Sequence, residues 1–226
     1  MSRPRNARAS GQANGADRSA TQRRLLDAAE RLFAEKGFAD TSVRELTAEA
    51  GANLAAVNYH FGGKENLYVE VFRRGLDEMR EHRLASIQAA VEVPDPTLES
   101  LLRAFGRSFM EPFMEAGRGR RLMQLYNREM IQPMLPPRLF YEHMVEPVLA
   151  AMSEAIASIC PDIDRRDIML CQHWFVGQLL HAVQMDRHYR EAGIEAPPMT
   201  DLREAIDHMV RFTAAGMRGF AGEPTC

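Results

Sequence analysis

The sequence has few cysteines and no long apolar run. Its three cysteines, Cys160, Cys171 and Cys226, are sparse and odd in number in a chain of 226 residues, which argues against a disulfide framework and fits reduced thiols. No stretch approaches the roughly 18 apolar residues of a membrane span. The first twenty residues are polar and rich in arginine, without the apolar core of a signal peptide. We therefore expect a cytoplasmic protein that does not enter a membrane.

The sequence also lacks the signatures of a catalytic site. Residues 95–220 contain no Gly-rich phosphate loop, no nucleophile elbow and no paired-cysteine motif. His173, His181 and His188 fall on one predicted helix at spacings of eight and seven, so a metal site would need ligands from other helices. We expect no enzymatic activity, no cofactor and no bound metal.

The formal net charge of −3 hides an asymmetry along the chain. Residues 1–24 carry six arginines and one acid, and residues 1–80 carry 13 basic against 11 acidic groups, whereas the remainder carries 15 against 20. A tail of Arg, Gly, Ser, Asn and Ala buries too little to fold, so residues 1–20 are predicted to form a flexible basic arm. Two roles stay open for it, a solubilising tail or an arm that reaches phosphates or a minor groove.

Helical spacing recurs throughout, and strand signals are nearly absent, which predicts an all-α protein of about nine helices. In the front part, the first helix ends at Gly37, the second begins at Ser42, whose spacing to Glu45 fits a capping box, and the second ends at Gly51. Asn53 is predicted to cap a third helix from Leu54 to Phe61. A fourth helix is predicted from Lys64 to Val91.

Prolines and glycines mark the helix ends of the rear part. Pro112 is predicted to end or kink the fifth helix, and Pro147 to bend the seventh, because each removes a backbone donor. Gly193 is predicted to stop the eighth helix, which starts at Asp164. Thr200 is predicted to cap the ninth, which frays after Gly216.

The second and third helices have helix-turn-helix spacing. Within the third, Val57 and Phe61 point inward, and an unusual set for solvent points outward: Leu54, Ala55, Asn58 and Tyr59. Small and apolar side chains suit a helix that approaches base edges and thymine methyl groups. Spacing alone leaves a second interpretation open, a small capping bundle that packs on another surface.

A pattern of several parts runs through the front of the chain. Its parts are Gly37-Phe38, Thr41-Ser42-Val43-Arg44-Glu45-Leu46, Ala50-Gly51-Ala52-Asn53 and Val57-Asn58-Tyr59-His60-Phe61-Gly62-Gly63-Lys64-Glu65-Asn66-Leu67-Tyr68. With this pattern, residues 21–68 resemble the DNA-binding domain of TetR-family transcriptional regulators. In the rear, Arg128-Glu129-Met130 with Pro133, Pro136 and Glu146-Pro147 resembles the ligand domain of the CecR-like subgroup.

The resemblance implies roles for individual residues in binding double-stranded operator DNA. Thr41 and Ser42 offer hydroxyls and helix N–H groups to a phosphate, and Arg44 reaches a phosphate or a guanine edge. The remaining implied DNA-binding residues are base-reading Leu54, Ala55 and Ala56, phosphate-contacting Tyr59 and His60, backbone-contacting Lys64, and Asn53 and Asn58 beside them.

Base specificity cannot be transferred from relatives. The family often has tyrosine where this chain has Asn58, and lysine or glutamine where it has Leu54. A satisfied structural role for His60 also stays open.

The rear helices are rich in methionine and aromatic residues, which fit either a plain core or an apolar cavity with a few orienting polar groups. The resemblance implies such a cavity for a small-molecule effector. The residues predicted to line it are Phe105, Phe109, Met123, Tyr126, Met130, Trp174, Gln178, His181 and Met185.

These observations predict three segments: an arm (1–20), a DNA-binding domain (21–66) and a ligand-binding and dimerisation domain (67–226). The last two long helices are apolar on more than one face and are predicted to form a homodimer interface. The expected function is a repressor that a small apolar or amphipathic effector releases from a palindromic operator. Two alternatives stay open, an all-helical small-molecule-binding protein or enzyme, and an architectural DNA binder without an effector.

Overall fold

The structure, a computed structural model, describes residues 7–114, 117–194 and 202–220, with the side chains of all but 7–17, 114, 130, 186–187, 190 and 202. Within these ranges the chain forms nine α-helices and no strand, which confirms the predicted fold class. In the same ranges, no helix has both the length and the apolarity needed to cross a membrane. The helices are α1 (Ala7–Lys36), α2 (Val43–Glu49), α3 (Ala56–Phe61), α4 (Lys64–Val91), α5 (Leu98–Met114), α6 (Arg118–Ile131), α7 (Glu146–Ile159), α8 (Arg165–Ala192) and α9 (Leu202–Phe220).

The described residues divide into two compact units. Unit 1 combines the residues up to Gly75 with Arg121–Leu135, and unit 2 combines Leu76–Arg120 with the residues from Pro136 onward. Helices α4 and α6 therefore each contribute residues to both units. The functional boundary expected after residue 66 stays a prediction.

Short-range signals set the ends of α2 as predicted. The Ser42 hydroxyl accepts the Glu45 N–H and the Glu45 carboxylate accepts the Ser42 N–H, which completes a capping box. At the other end Gly51 has a φ of 58°, and the N–H groups of Gly51 and Ala52 return to the carbonyls of Ala48 and Thr47. This pair of bonds is a Schellman motif, which needs a left-handed residue where glycine stands.

Helices α1 and α3 begin at residues that the sequence pattern did not indicate. Helix α1 begins at Ala7, so residues 7–20, expected to be a flexible arm, are helical. The stretch from residue 7 to 20 lacks proline, and adding turns to an established helix costs far less than nucleating a new one. Helix α3 begins at Ala56 rather than Leu54. The Asn53 carbonyl accepts the Ala56 N–H, and the N-cap residue is Ala55, which has no side chain that could cap the helix.

The rear helices differ from the prediction at their prolines and at Gly216 but agree with it at Gly193. Helix α5 continues through Pro112 to Met114. A π-helical turn, Tyr141–Val145, runs directly into α7, with the Glu146 N–H bonded to the Tyr141 carbonyl, and Pro147 falls in the first turn of α7. Helix α9 runs past Gly216 to Phe220, whereas Thr200, its predicted cap, lies outside the described residues. Gly193, with a φ of 63°, follows the last residue of α8 as predicted.

Unit 2 is a bundle in which α9 packs against α5 and α8, and α7 packs against α8. Phe105 of α5 is buried with its ring 6.3 Å from that of Phe175 on α8. Two ion pairs join α5 to α9: Arg103 with Asp207 at 2.7 Å and Arg218 with Glu99 at 2.6 Å. Each arginine lowers the pKa of its partner carboxyl, and for Glu99 this outweighs the opposing effect of burial.

Unit 1 contains a buried ionic cluster that joins α1, α4 and α6. The Glu30 side chain is 2% exposed and accepts from the Arg74 guanidinium at 2.7 Å, while the Arg121 guanidinium lies 3.5 Å away. Arg74 also binds Asp27 at 2.8 Å, but the Asp27 side chain is 49% exposed. A carboxylate taken out of water needs such partners, since losing one leaves a buried charge uncompensated.

We expect Arg74→Ala to destabilise the protein by about 3–5 kcal/mol, because it removes the hydrogen-bonded partner of buried Glu30. The control Asp27→Asn removes the exposed partner of the same arginine and should cost below about 1 kcal/mol. Urea unfolding followed by circular dichroism measures both. Equal losses in the two variants would contradict a special role for the buried pair.

Candidate nucleic-acid interface and effector region

The outer face of α3 and the turn before it present apolar and aromatic side chains to solvent. Leu54 is 59% and Tyr59 66% exposed, and Ala55 and Asn58 are exposed beside them. The opposite face holds the helix in place, because Val57 is fully buried in unit 1. The predicted outward set therefore does lie on one accessible surface, which suits a groove better than water.

Two residues given DNA-binding roles by the family resemblance are buried. Thr41 is 1% exposed, and its hydroxyl donates to the Gly37 carbonyl at 2.7 Å, so it helps to close the turn after α1 and does not face a phosphate. Ala56 is 6% exposed because the first position of α3 points into the core of unit 1. The burial of these two side chains does not favour their DNA-binding roles, which stay predictions of the family resemblance.

The start of α2 keeps its accessible polar groups. Ser42 and Arg44 are both exposed, and the Ser42 hydroxyl also takes part in the capping box with Glu45. Glu45 in turn binds the Lys36 ammonium at 2.6 Å. The carboxylate of Glu45 thus connects the start of α2 to the end of α1. The Arg44 side chain remains exposed to solvent.

Several basic and aromatic side chains lie on or beside α3. Asn53 is exposed and His60 is half-buried, with the His60 ring 5.0 Å from that of Tyr59. The Lys64 ammonium lies 4.2 Å from the centre of the Phe38 ring, a cation–π contact that orients this side chain. A further cation, Arg18 of α1, lies over the Tyr59 ring at 5.1 Å.

Sequence reasoning missed the attachment of α6 to the front of unit 1. The Arg128 guanidinium donates to the carbonyls of Ala34 and Glu35 in the last turn of α1. The Tyr68 hydroxyl donates to Glu129 at 3.0 Å, and burial, with the Glu129 carboxylate, raises the pKa of Tyr68. A cation such as Arg128 is favourable at a helix C-terminus. Because Arg128 lies more than 90 residues from Ala34 and Glu35, no local sequence pattern could have predicted this contact.

The residues predicted to line an effector cavity are divided between the two units. Phe105 and Phe109 are buried in unit 2, and Gln178 and Met185 of α8 are half-buried there. Met123 and Tyr126 belong to the α6 segment of unit 1, and the side chain of Met130 lies outside the described residues.

Two members of the predicted cavity lie on the outside of α8. Trp174 is 72% exposed and His181 is exposed, so neither lines an enclosed cavity within unit 2. They follow one stripe of the helix with Leu170 and Gly177, at spacings of four, three and four. His173 and His188 each place Nδ1 2.7 Å from the carbonyl four residues earlier, and in the described part of the chain no three His, Cys, Asp or Glu residues form a metal-binding group.

Unit 2 contains open grooves away from the predicted cavity residues. One, of about 570 Å³, lies between α4 and α7 and includes Ile87 and Ala151. Another, of about 440 Å³, lies between the π-helical turn, α7 and α8 and includes Tyr141 and Gln172. Ser153 and Gln172 hydrogen-bond each other in the second groove, so the buried amide has its partner there.

Two family models match the chain. One, described as bacterial regulatory proteins of the tetR family, matches residues 25–71, and the other, a tetracyclin repressor-like C-terminal domain, matches residues 103–216. The second alone covers half of the chain.

Individual proteins are similar as well. The transcriptional dual regulator CecR of Shigella flexneri is 29% identical over 70% of this chain and 74% of its own. The repressor AcnR of Corynebacterium glutamicum is 35% identical, over 35% of this chain and 41% of its own. A crystal structure from Mesorhizobium loti described as a TetR-family regulator superposes with a TM-score of 0.67 at 20% identity, over 88% of this chain and 97% of that one.

The capping box predicts a pH dependence. The Lys36 ammonium, followed by the Ser42 N–H and hydroxyl, lowers the pKa of Glu45 to about 2. Because this lies below the ordinary value of 4.5, the charged carboxylate stabilises the folded state above pH 4.5, and that contribution is lost as the pH falls through about 2. We expect the melting temperature of Glu45→Gln to lie below that of the wild type at pH 7, and the difference to shrink below pH 4.5.

Calorimetry across this pH range tests the expectation. The control is Glu81→Gln, which neutralises a side chain that is 74% exposed. A wild-type advantage over Glu45→Gln that stays constant down to pH 2 would show that the charge of Glu45 does not stabilise α2.

Proposed function

Because the chain belongs to the TetR family of bacterial regulatory proteins, we propose that it represses transcription from a near-palindromic operator and that a small effector releases it. The family and the relatives named above are helix-turn-helix transcriptional regulators rather than enzymes, and so is this protein. The suggested kinship with CecR is supported by the 29% identity. Its DNA lies in the bacterial cytoplasm, where we place the protein.

The exposed strip on α3 is the observation that carries the proposed mode of DNA binding. Leu54 and Ala55 sit at the entry of α3 and are the proposed base-reading residues, with Asn58 one turn further along the same face. Arg44, Ser42, Asn53, His60 and Lys64 surround this strip and are the proposed phosphate contacts, together with Tyr59. Phosphate contacts fix the register, and the strip reads the sequence.

The outer faces of α8 and α9 support a homodimer. Trp174 of α8 and Phe212 of α9 are 72% and 67% exposed, and Leu170 and Phe220 are exposed on the same two helices. A side chain added at Gly177, Gly216 or Gly219 would meet nothing within 4 Å, so these exposed positions leave room for a second helix pair to approach. We assign Trp174 and His181 to this face and not to the effector cavity.

A symmetric pair of α8–α9 hairpins would bury these aromatics as a four-helix interface. Two α3 helices about one DNA turn apart, roughly 34–36 Å, would then read two half-sites. A dimer has two DNA-binding domains, called heads below. This raises affinity for DNA, since the second head binds its half-site at a high effective concentration.

The effector is proposed to bind beside α5 and α8 in unit 2. Phe105 and Phe109 of α5 and Gln178 and Met185 of α8 are its proposed wall, which offers apolar surface and one amide. The guanidinium carbon of buried Arg83 lies 4.3 Å from the centre of the Phe109 ring. A cation beside apolar rings favours an amphipathic effector over a purely apolar one.

Helices α4 and α6 are the proposed carriers of the effector signal, since each runs from one unit into the other. Within unit 1, the α6 segment holds the end of α1 through Arg128 and holds α4 through Glu129. An effector that binds better to the arrangement that does not fit DNA would lower operator affinity by the same factor that DNA lowers effector affinity, with a usual coupling of about 1–3 kcal/mol.

We expect Tyr59→Phe and Leu54→Ala to affect DNA binding differently. Tyr59→Phe removes one phosphate contact, so it should weaken binding to all sequences by a similar factor. Leu54→Ala removes a base contact, so it should cost about 1–3 kcal/mol on the preferred site and relax selectivity at one base position. The measurement is fluorescence anisotropy on a duplex selected by the wild type from a random pool, and on single-base variants of that duplex.

The control is Met134→Ala, which truncates an exposed apolar residue in the loop after α6. Failure of the wild type to select any duplex at low salt would refute the proposed function. Selection of a duplex whose recognition is unchanged in Leu54→Ala would refute the assignment of this residue.

We expect Phe212→Glu to split the dimer, because it places two like charges in the centre of a symmetric interface. Light scattering after size exclusion should give about 51 kDa for the wild-type dimer and about half for the variant. The control Ile131→Glu, at a 79% exposed residue of unit 1, should remain dimeric. A wild type of 25.5 kDa at all working concentrations would contradict the dimer.

A further inference from the structure

A cation from outside the shared helix-turn-helix region lies against the recognition surface. The Arg18 guanidinium carbon stands 5.1 Å from the centre of the Tyr59 ring, within the range of a cation–π contact. Arg18 is exposed, and Tyr59 is 66% exposed on the outer face of α3. The contact therefore forms on the surface and not in the core.

The contact with Tyr59 leaves the guanidinium able to bind an anion. An arginine that packs on an aromatic ring keeps N–H donors available for a phosphate. In the described part of the chain no carboxylate pairs with Arg18. By contrast, Arg31 on the same helix is engaged by Glu49 at 2.9 Å, and Arg24 donates to the Ala50 carbonyl.

Arg18 belongs to a basic segment that the family match does not include. The match of the DNA-binding domain begins at residue 25, whereas α1 begins at Ala7. Residues 1–24 carry six arginines and one acid, a local excess of basic charge. The continuous helix places the end of this segment, through Arg18, beside the residue proposed to contact phosphate.

We propose that Arg18 is an additional DNA-contacting residue, held over α3 by Tyr59 and aimed at a phosphate of the duplex that α3 reads. This inference rests on the proposed function, since it assumes that α3 enters a DNA groove. It makes the N-terminal extension of α1 part of the DNA-binding surface and widens the footprint beyond the shared domain. Tyr59 then has two roles, a contact of its own and a platform for Arg18.

A shielding role for Arg18 would make a different prediction. If Arg18 only covered the Tyr59 ring, its removal would change stability or affinity but not the number of ions released on binding. A phosphate contact instead contributes to the slope of log affinity against log salt, at about 0.9 per phosphate. The salt dependence therefore separates the two roles.

The test compares the wild type with Arg18→Ala on the selected duplex, by fluorescence anisotropy between about 50 and about 200 mM salt. We expect the slope to become shallower by about 0.9, so that the fall in affinity across this range is about 3.5-fold smaller than in the wild type. Arg31→Ala is the matched control, a half-buried arginine of α1 engaged by the Glu49 carboxylate, and should keep the wild-type slope. Circular dichroism checks that both variants are folded.

A double-mutant cycle tests the platform. In a Tyr59→Ala background, Arg18→Ala should lose less affinity than in the wild type, because the ring that positions Arg18 is already gone. If the wild type binds DNA and Arg18→Ala keeps the full slope, Arg18 makes no phosphate contact and the proposed function stands. If the wild type binds no duplex at low salt, the proposed function and this inference both fail.

Discussion

The structure of unit 1 depends on fixing two helices that are too short to stand alone. Helices α2 and α3 have seven and six residues, and isolated helices below about 12–15 residues are marginal in water. Their stability must therefore come from their ends and from one buried face. The capping box at Ser42, the Schellman turn at Gly51 and the buried side chains of Leu46 and Val57 supply these supports. Because one face is enough to anchor α3, the other face is free to present Leu54 and Tyr59.

The need to fix the positions of helices also explains why unit 1 tolerates the buried charge of Glu30. Glu30 gains its partners from α4 and α6, so the cluster is satisfied only when three helices are correctly placed. A buried ion pair adds little net stability but strongly penalises arrangements that separate its members. Arg128 acts in a similar way at the end of α1, where it satisfies two carbonyls that the helix leaves open. A regulator needs such specificity, since its states must differ in arrangement and not merely in looseness.

Local signals in the sequence were sufficient for part of the fold, and long-range contacts decided the rest. The capping box of Ser42 and the glycine stops at Gly51 and Gly193 depend on neighbours within a few residues, and all three were predicted. The burial of Thr41 and the exposure of Trp174 were not anticipated, because the spacing of residues does not show which face of an element is covered. The periodic pattern shows that Trp174 lies on an apolar stripe but not whether the stripe faces the core or the surface. The π-helical turn before Pro147 was missed for a related reason, since a proline predicts a disturbance and not the form it takes.

The distribution of charge connects the oligomeric state to the function. Residues 1–80 carry only two more basic than acidic groups, so one head alone attracts a duplex weakly. Non-specific affinity rises steeply with each phosphate that a protein neutralises. A homodimer would present two heads to one operator and double the number of phosphate contacts without changing any residue. The exposed aromatics of α8 and α9 would then serve DNA recognition indirectly, because the apolar interface they form would unite two weak heads. An effector that altered the spacing of those heads would reduce binding sharply even if each head kept its own contacts, because the advantage of linkage disappears when both half-sites cannot be engaged together.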